Sequence, residues 1–532
     1  MKVDKLHVRS RFKNLENVTV DFDEDHLMTV VVGRNGSGKS NVLEALVVIF
    51  RNLDLGEAPP FSYELVYRLG EPHKTNLLSH RWLEVTVDAD PTRGTLAKQY
   101  EVMVKDLLDE QPADLLKEKP VGKVVPFSRI KRDKTGKATY LPNYVFAYYS
   151  GPSDRLENHF RKHRTDFYRR LLKDELDLKG DIRSLFYAKP HHSQFVLLAF
   201  FLSEKDNEEK AFLLEHLGIQ GLDSIHFVMR QPGWAKKRGE LFWGARGVVR
   251  RFLDELIKYT LSPVKVTRQE DTSLTGSNIR NEFLHLFLPD VGTLRDFARD
   301  LSADELFKML ESTLLSEIIS EVSIRVKVSS SEEPLTFREL SEGEQQLLTV
   351  LGLLKFTGGK DSLFLLDEPD THLNPSWAAK YLKFLRKFVP NHETSHLLMV
   401  THHPLAIAEL QKEQVQVMKR DEEFQVHAYM PDESPRGMGI NLILRSDMFG
   451  LKTTLDEDTN QKLTTRNALA AKETLSKEKV VREEGKPPEN DEQYLTRLNY
   501  ELDKLGFNFA TDDPDYLEFL RKKYQGTPEG SH

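Results

Sequence analysis

GRNGSGKS, residues 33–40, is the stretch on which the fold turns. It follows the apolar run LMTVVV and leads into NVLEALVVIFRNL, whose apolar positions recur at helical spacing. A strand, a glycine-rich turn and a helix in that order form the setting in which GxxxxGK[ST] holds phosphate. Glycines let backbone N–H groups turn inward around phosphate oxygens, and the helix N-terminus adds the positive end of its dipole. Gly33, Arg34, Asn35, Gly36, Ser37, Gly38, Lys39, Ser40 and Asn41 are therefore candidate nucleotide contacts. Lys39 brings charge to the β/γ-phosphates, and the Ser40 hydroxyl is a candidate ligand for Mg²⁺. The expected cofactors are ATP and Mg²⁺.

Two more apolar runs end in polar residues. SLFLLDEP closes on Asp367 and Glu368, and a carboxylate at the end of a buried strand needs a cation or a donor to meet it. Asp367 suits the metal, and Glu368 is placed to orient or deprotonate an attacking water. HLLMVTHH has a polar end with His402, whose imidazole can hydrogen-bond both a γ-phosphate and that water. A metal pair with His403 is not expected, because adjacent strand residues point to opposite faces. LSEGEQQLLTVLGLL, residues 340–354, reads as a helix with Ser341 at its entrance and Glu344 three positions on, the spacing of a capping box.

Bulk properties narrow the classes. The chain has 532 residues, 39% hydrophobic and 30% charged, and no cysteine. Disulfides, thiolate nucleophiles and Cys-ligated zinc are excluded. No apolar run approaches the roughly 18 residues that span a bilayer, and MKVDKLHVRS lacks the pattern of a signal peptide. A cytoplasmic protein with no membrane partner is expected. With a net charge of −8, nucleic acid would have to meet a local patch. Strands alternating with helices imply an α/β fold with a largely parallel core, accompanied by antiparallel strands. We expect an N-terminal ATPase lobe over 1–153, a helical insertion over 154–292, a C-terminal lobe over 293–430 and a helical extension over 431–532, with residues 262–283 as a polar linker or loop.

The order GRNGSGKS, LSEGEQQ, LLDEPDTHLNP and VTHH resembles the P-loop heads of ABC/SMC-type ATPases. DEPDTHLNP is closer to the OLD- and RecF-like branch than to transporters. The resemblance implies that LSEGEQ is a signature motif. Ser341, Gly343 and Glu344 would then meet the nucleotide of a second subunit in a head-to-tail homodimer. Asn374 falls in the D-loop, where many relatives have Asp. The adenine-stacking residue has only Arg11 and Phe12 as candidates. AYYSGPSDRL, FRKHRTDFYRRLL and RGMGINLILRSDMFGLKTTLDEDT extend the likeness to the PtuA ATPases of Septu-type and retron-associated antiphage systems. That resemblance implies a separate HNH-type nuclease partner, PtuB-like. A RecF-like DNA repair ATPase and a PARIS-like scaffold that regulates a toxin are the alternatives.

OLD and Gabija relatives carry a Toprim nuclease. DEDTN sits in a helical polar setting and TDDPDY lacks a preceding apolar strand, so no nuclease is expected in this chain. Two basic stretches interleave cations with aromatics, HFRKHRTDFYRRLLK at 159–173 and MRQPGWAKKRGELFWGARGVVRR at 229–251. Either they contact DNA or RNA, with bases stacked on the rings, or they are solvated faces over buried aromatics.

Overall fold

The computed structural model describes residues 1–72, 80–107, 122–132, 138–173, 183–202, 208–235, 240–271, 278–470 and 488–507. The run before the phosphate loop forms the strand Met28–Gly33, buried at every position. A strand with no polar face belongs inside a sheet covered on both sides. Its sheet has seven strands in the order Val426–Tyr429, Val415–Arg420, Met28–Gly33, Ser395–Val400, Ser362–Asp367, Tyr144–Tyr149 and Leu185–Tyr187. All neighbours are parallel except the first pair. Asp367 stands opposite both Val400 and Tyr149, so the carboxyl ends of three strands finish level.

The alternating runs of the first hundred residues build a second, antiparallel sheet of six strands, Val18–Asp21, Lys2–Val8, Tyr63–Pro72, His80–Ala89, Tyr100–Leu107 and Lys123–Val125. The helix Lys39–Leu55 shares one core with both sheets. Its Val42, Leu46 and Ile49 join Val31, Leu365 and Val400 of the parallel sheet and Tyr63, Leu65 and Val87 of the antiparallel one. The opposite face of the parallel sheet is covered by His192–Leu202, Ala303–Leu315, Glu342–Thr357 and Pro375–Phe388. Two of these helices meet closely. A Cβ on Gly352 of the helix Glu342–Thr357 would collide with the side chain of Val196.

Residues 154–292 are not purely helical. Besides Glu157–Leu172, His192–Leu202, Glu208–Leu217 and Gly247–Leu256, they hold the strands Leu185–Tyr187, Ile219–Arg230, Leu261–Asp271 and Asn278–Leu288. The described residues of the expected linker at 262–283 belong to two antiparallel strands, with Val266 opposite Phe283. They end a five-stranded sheet that Ile319–Val328 and Leu335–Thr336 complete. Leu261–Asp271 is an edge strand, and its described side chains are almost all exposed. An edge strand can stay polar and charged, which erases the alternation that marks a half-buried strand.

Residues 444–446 and the described residues from 450 onward form a second compact unit. Within it the helices Glu457–Ala470 and Asp491–Lys504 pack together, with Arg466 Nε donating to Asn499 Oδ1 at 2.9 Å. The helical setting read for DEDTN matches the start of the first of these. TDDPDY lies outside the described residues. Among the described residues no helix is long and apolar enough to cross a membrane.

Candidate nucleotide site

The phosphate loop joins Met28–Gly33 to Lys39–Leu55. Gly33 has φ +141°, and a Cβ there would strike the carbonyl oxygen of Met418 on the neighbouring strand. Gly38, at φ +96°, is the N-cap of the helix. That helix start has no side-chain cap and no acid in its first turn, so its N–H groups and dipole remain available to an anion. Arg34, Asn35 and Gly36 are exposed, and Ser37, Gly38 and Lys39 are buried. The Ser37 hydroxyl is buried without a partner. Lys39 Nζ donates to the loop's own carbonyls, Gly33 O at 2.8 Å and Arg34 O at 3.1 Å. Burial lowers its pKa, and the charges of Glu368 and Asp367 oppose that. Asn41 Nδ2 donates to Asn14 Oδ1 at 2.6 Å, and Asn14 Nδ2 to Gly36 O at 3.1 Å. Asn14 therefore ties the loop to the segment that precedes the second strand, a role with no signal in the sequence.

The parallel register brings the acids to this loop. Ser40 Oγ donates to Asp367 Oδ1 at 2.9 Å. The other oxygen of Asp367 meets Arg155 Nη2 at 3.0 Å, and the Arg155 guanidinium lies 5.1 Å from the Tyr149 ring centroid. Asp367 is 2% exposed. Burial raises its pKa to about 6, while Ser40 and Arg155 pull the other way and Glu368 adds to the rise. A serine hydroxyl and a buried carboxylate side by side fit a hard divalent cation such as Mg²⁺. Glu368 follows at φ +52°, a left-handed backbone that L-residues seldom adopt. Its N–H is held by Val400 O at 2.9 Å, and its Oε1 lies 3.3 Å from His402 Nδ1. Thus Lys39, Ser40, Asp367, Glu368 and His402 converge at the carboxyl ends of adjacent strands, where open α/β sheets hold ligands.

Three supporting residues are absent from the sequence reading. Asp370, 1% exposed, accepts from Thr401 Oγ1 at 2.7 Å, and Thr401 Oγ1 in turn accepts the N–H of His403 at 2.9 Å. This fixes the turn that carries His402. Gln346 accepts the N–H of His372 at 3.1 Å, which ties the LSEGEQQ helix to the segment after Glu368. Arg155 is legible only once Tyr144–Tyr149 is known to neighbour Ser362–Asp367. His403 caps a short helix through Nδ1 and the N–H of Leu405.

Ser341 and Glu344 are hydrogen-bonded to each other. They form the full capping box of Glu342–Thr357, with Ser341 N–H to Glu344 Oε2 at 2.6 Å and Glu344 N–H to Ser341 Oγ at 3.3 Å. A Cβ at Gly343 would sit 2.5 Å from His372 O. Asn374 caps the helix Pro375–Phe388 by accepting from Trp377 N–H at 2.9 Å. Of the adenine-stacking candidates, Phe12 packs on Phe61 with centroids 4.6 Å apart, and Arg11 Nε donates to Lys13 O. In the basic stretches most rings are core, Tyr168 and Trp234 being partly buried. Phe160, Phe167, Phe242 and Trp243 are buried, and Trp234 Nε1 donates to Ser316 O. Base stacking on those four buried rings is therefore ruled out. Arg161, Lys162, Arg169, Arg170 and Lys173 remain exposed, and Lys236, Lys237 and Arg238 lie outside the described residues.

Known proteins resemble parts of the chain. Residues 1–138 match a family described as an AAA ATPase domain, and residues 268–408 match one described as AAA domain, putative AbiEii toxin, Type IV TA system. The chain is similar to the Septu protein PtuA of Bacillus mycoides (strain KBAB4), 24% identical over 197 residues. That match covers 35% of this chain and 27% of the relative, so the chain spans about a quarter of that protein's length. An SMC head domain from Thermotoga maritima aligns over 81% of this chain and 99% of its own, at 13% identity and a TM-score of 0.31. The fold is α/β with mixed sheets, two stretches of the chain match AAA domain families, and the chain resembles PtuA.

Proposed function

We propose that the chain binds and hydrolyses ATP as a subunit of an antiphage defence complex, and that nucleotide-dependent pairing of two heads controls a separate HNH-type nuclease. The convergence of Lys39, Ser40, Asp367, Glu368 and His402 carries this reading. Lys39 turns from its own carbonyls to the β/γ-phosphates. Ser40 and Asp367 hold Mg²⁺, which when bound neutralises phosphate charge. Glu368 takes the proton of the attacking water, and His402, beside it, positions that water against the γ-phosphate. Ser341 and Gly343 of a second copy complete the phosphate shell, so one head alone turns over slowly.

A division into lobes over 1–153 and 293–430, a mixed helix-and-strand insertion over 154–292 and an extension over 431–532 accompanies this proposal, the extension serving partner or self-association. The likeness to PtuA supports the defence role, and the exposed cations of 159–173 leave a surface for nucleic-acid backbone. Glu368→Gln is the direct test. It retains ATP and traps the paired state, and unchanged hydrolysis would sink the assignment of the base. Copurification with the product of the adjacent gene, followed by a nuclease assay with and without ATP, tests the partner.

A further inference from the structure

A cavity of about 310 Å³ lies apart from the phosphate loop, between the first turns of Glu157–Leu172, the strand Leu185–Tyr187 and the helix Ala303–Leu315. Clefts of this size are where proteins take small molecules. One wall is apolar, with Phe160, Leu185, Leu314 and Leu315. The other is charged: Arg164, Arg183 and Lys189 face Glu157, Glu311 and Glu317, the last of them exposed. Both inner carboxylates are already engaged. Glu157 Oε1 takes Lys189 at 2.6 Å and Arg164 at 2.8 Å. Glu311 takes Arg183 Nη2 and His192 Nε2, each at 2.7 Å.

Arg183 carries the argument. Its side chain is 6% exposed and packs against the rings of Phe167 and Phe186. Yet its Nε and Nη1 are buried with no acceptor. Leaving two guanidinium donors unmet is costly, and such groups ask for an acceptor.

His191, His192 and Glu311 also bring ligand atoms within 4.8 Å of one another, as a metal site would. The hydrogen bonds argue against a cation. The N–H of Lys189 donates to His192 Nδ1 at 2.7 Å, so the ring proton sits on Nε2, the atom facing Glu311. A metal there would need that proton removed and would sit beside the Arg183 guanidinium.

We infer that this cavity is a second small-molecule site, which takes an organic anion, phosphate or carboxylate, with its acidic group at Arg183 and Lys189 and its apolar body against Phe160 and Leu314. Occupancy has a route to the nucleotide machinery. His192 opens the helix His192–Leu202, whose Val196 bears on Gly352 of the LSEGEQQ helix. Glu157 lies two residues from Arg155, which holds Asp367.

The test is isothermal titration of the full chain with phenyl phosphate and, separately, with benzoate, in the parent, Lys39→Ala, Lys189→Ala and Arg183→Gln. The expected result is saturable binding that Lys39→Ala leaves unchanged and that Lys189→Ala and Arg183→Gln each weaken about tenfold or more, as loss of a charge-assisted hydrogen bond implies. Lys189 is partly exposed, so its variant decides the matter if the buried Arg183→Gln fails to fold. Tighter phenyl phosphate assigns a phosphate ligand, and tighter benzoate a carboxylate. No saturable binding of either probe at millimolar concentration overturns the inference. So does binding lost in Lys39→Ala but kept in Lys189→Ala, or tight binding of zinc alone that His191→Ala abolishes.

Discussion

Two helix starts in this molecule look alike in sequence and differ in chemistry. Lys39–Leu55 begins after Gly38 with no side-chain cap and no acid in its first turn. Glu342–Thr357 begins after Ser341 with its cap closed by Glu344 and with Glu342 and Glu344 both in the first turn. The first is open to phosphate as it stands. The second is satisfied in the isolated chain, and its acids oppose an anion. If it grips the nucleotide of another copy, it must give up its cap to do so. Binding at the first start is unconditional, and engagement of the second has a threshold.

The largest effect that follows is at the open start. Lys39→Ala should weaken ATP binding by about 100-fold or more, because one ammonium serves the phosphates directly, as titration with a fluorescent ATP analogue would read. Next is Ser341→Arg. It should leave ATP binding by the chain unchanged while abolishing ATP-dependent pairing in sedimentation and, with it, hydrolysis. Normal hydrolysis in that variant makes the second start a capped helix and nothing more. Ser341→Ala is milder, costing about 1 kcal/mol of stability from the lost cap, seen in chemical denaturation. Smallest is Glu344→Gln, which keeps an acceptor for the cap but removes a charge. Stability should fall by about 0.3–1 kcal/mol, and ATP-dependent pairing should tighten because the helix start repels phosphate less.

The same contrast explains what the sequence disclosed. Gly33 to Ser40, Asp367, Glu368 and His402 were legible because each lies at the end of a fully buried apolar run, where a polar residue needs a reason. Arg155 was hidden, since its partner is 212 positions away and only the sheet order joins them. Asp370 and Gln346 act through hydrogen bonds to neighbouring turns, which leave no periodicity to read. The strand pair Leu261–Asp271 and Asn278–Leu288 leaves no clear signal in the sequence, because an edge strand exposed to water resembles a linker. The aromatics of 159–173 were ambiguous because burial, not composition, separates a core ring from a stacking platform.

Glu368 holds its left-handed backbone at a cost of about 1–2 kcal/mol, a strain its neighbours must support. Glycine would adopt that geometry freely. A Glu368→Gly chain should therefore melt at a higher temperature than its parent while losing hydrolysis. At this position, selection for stability and selection for turnover pull toward different residues.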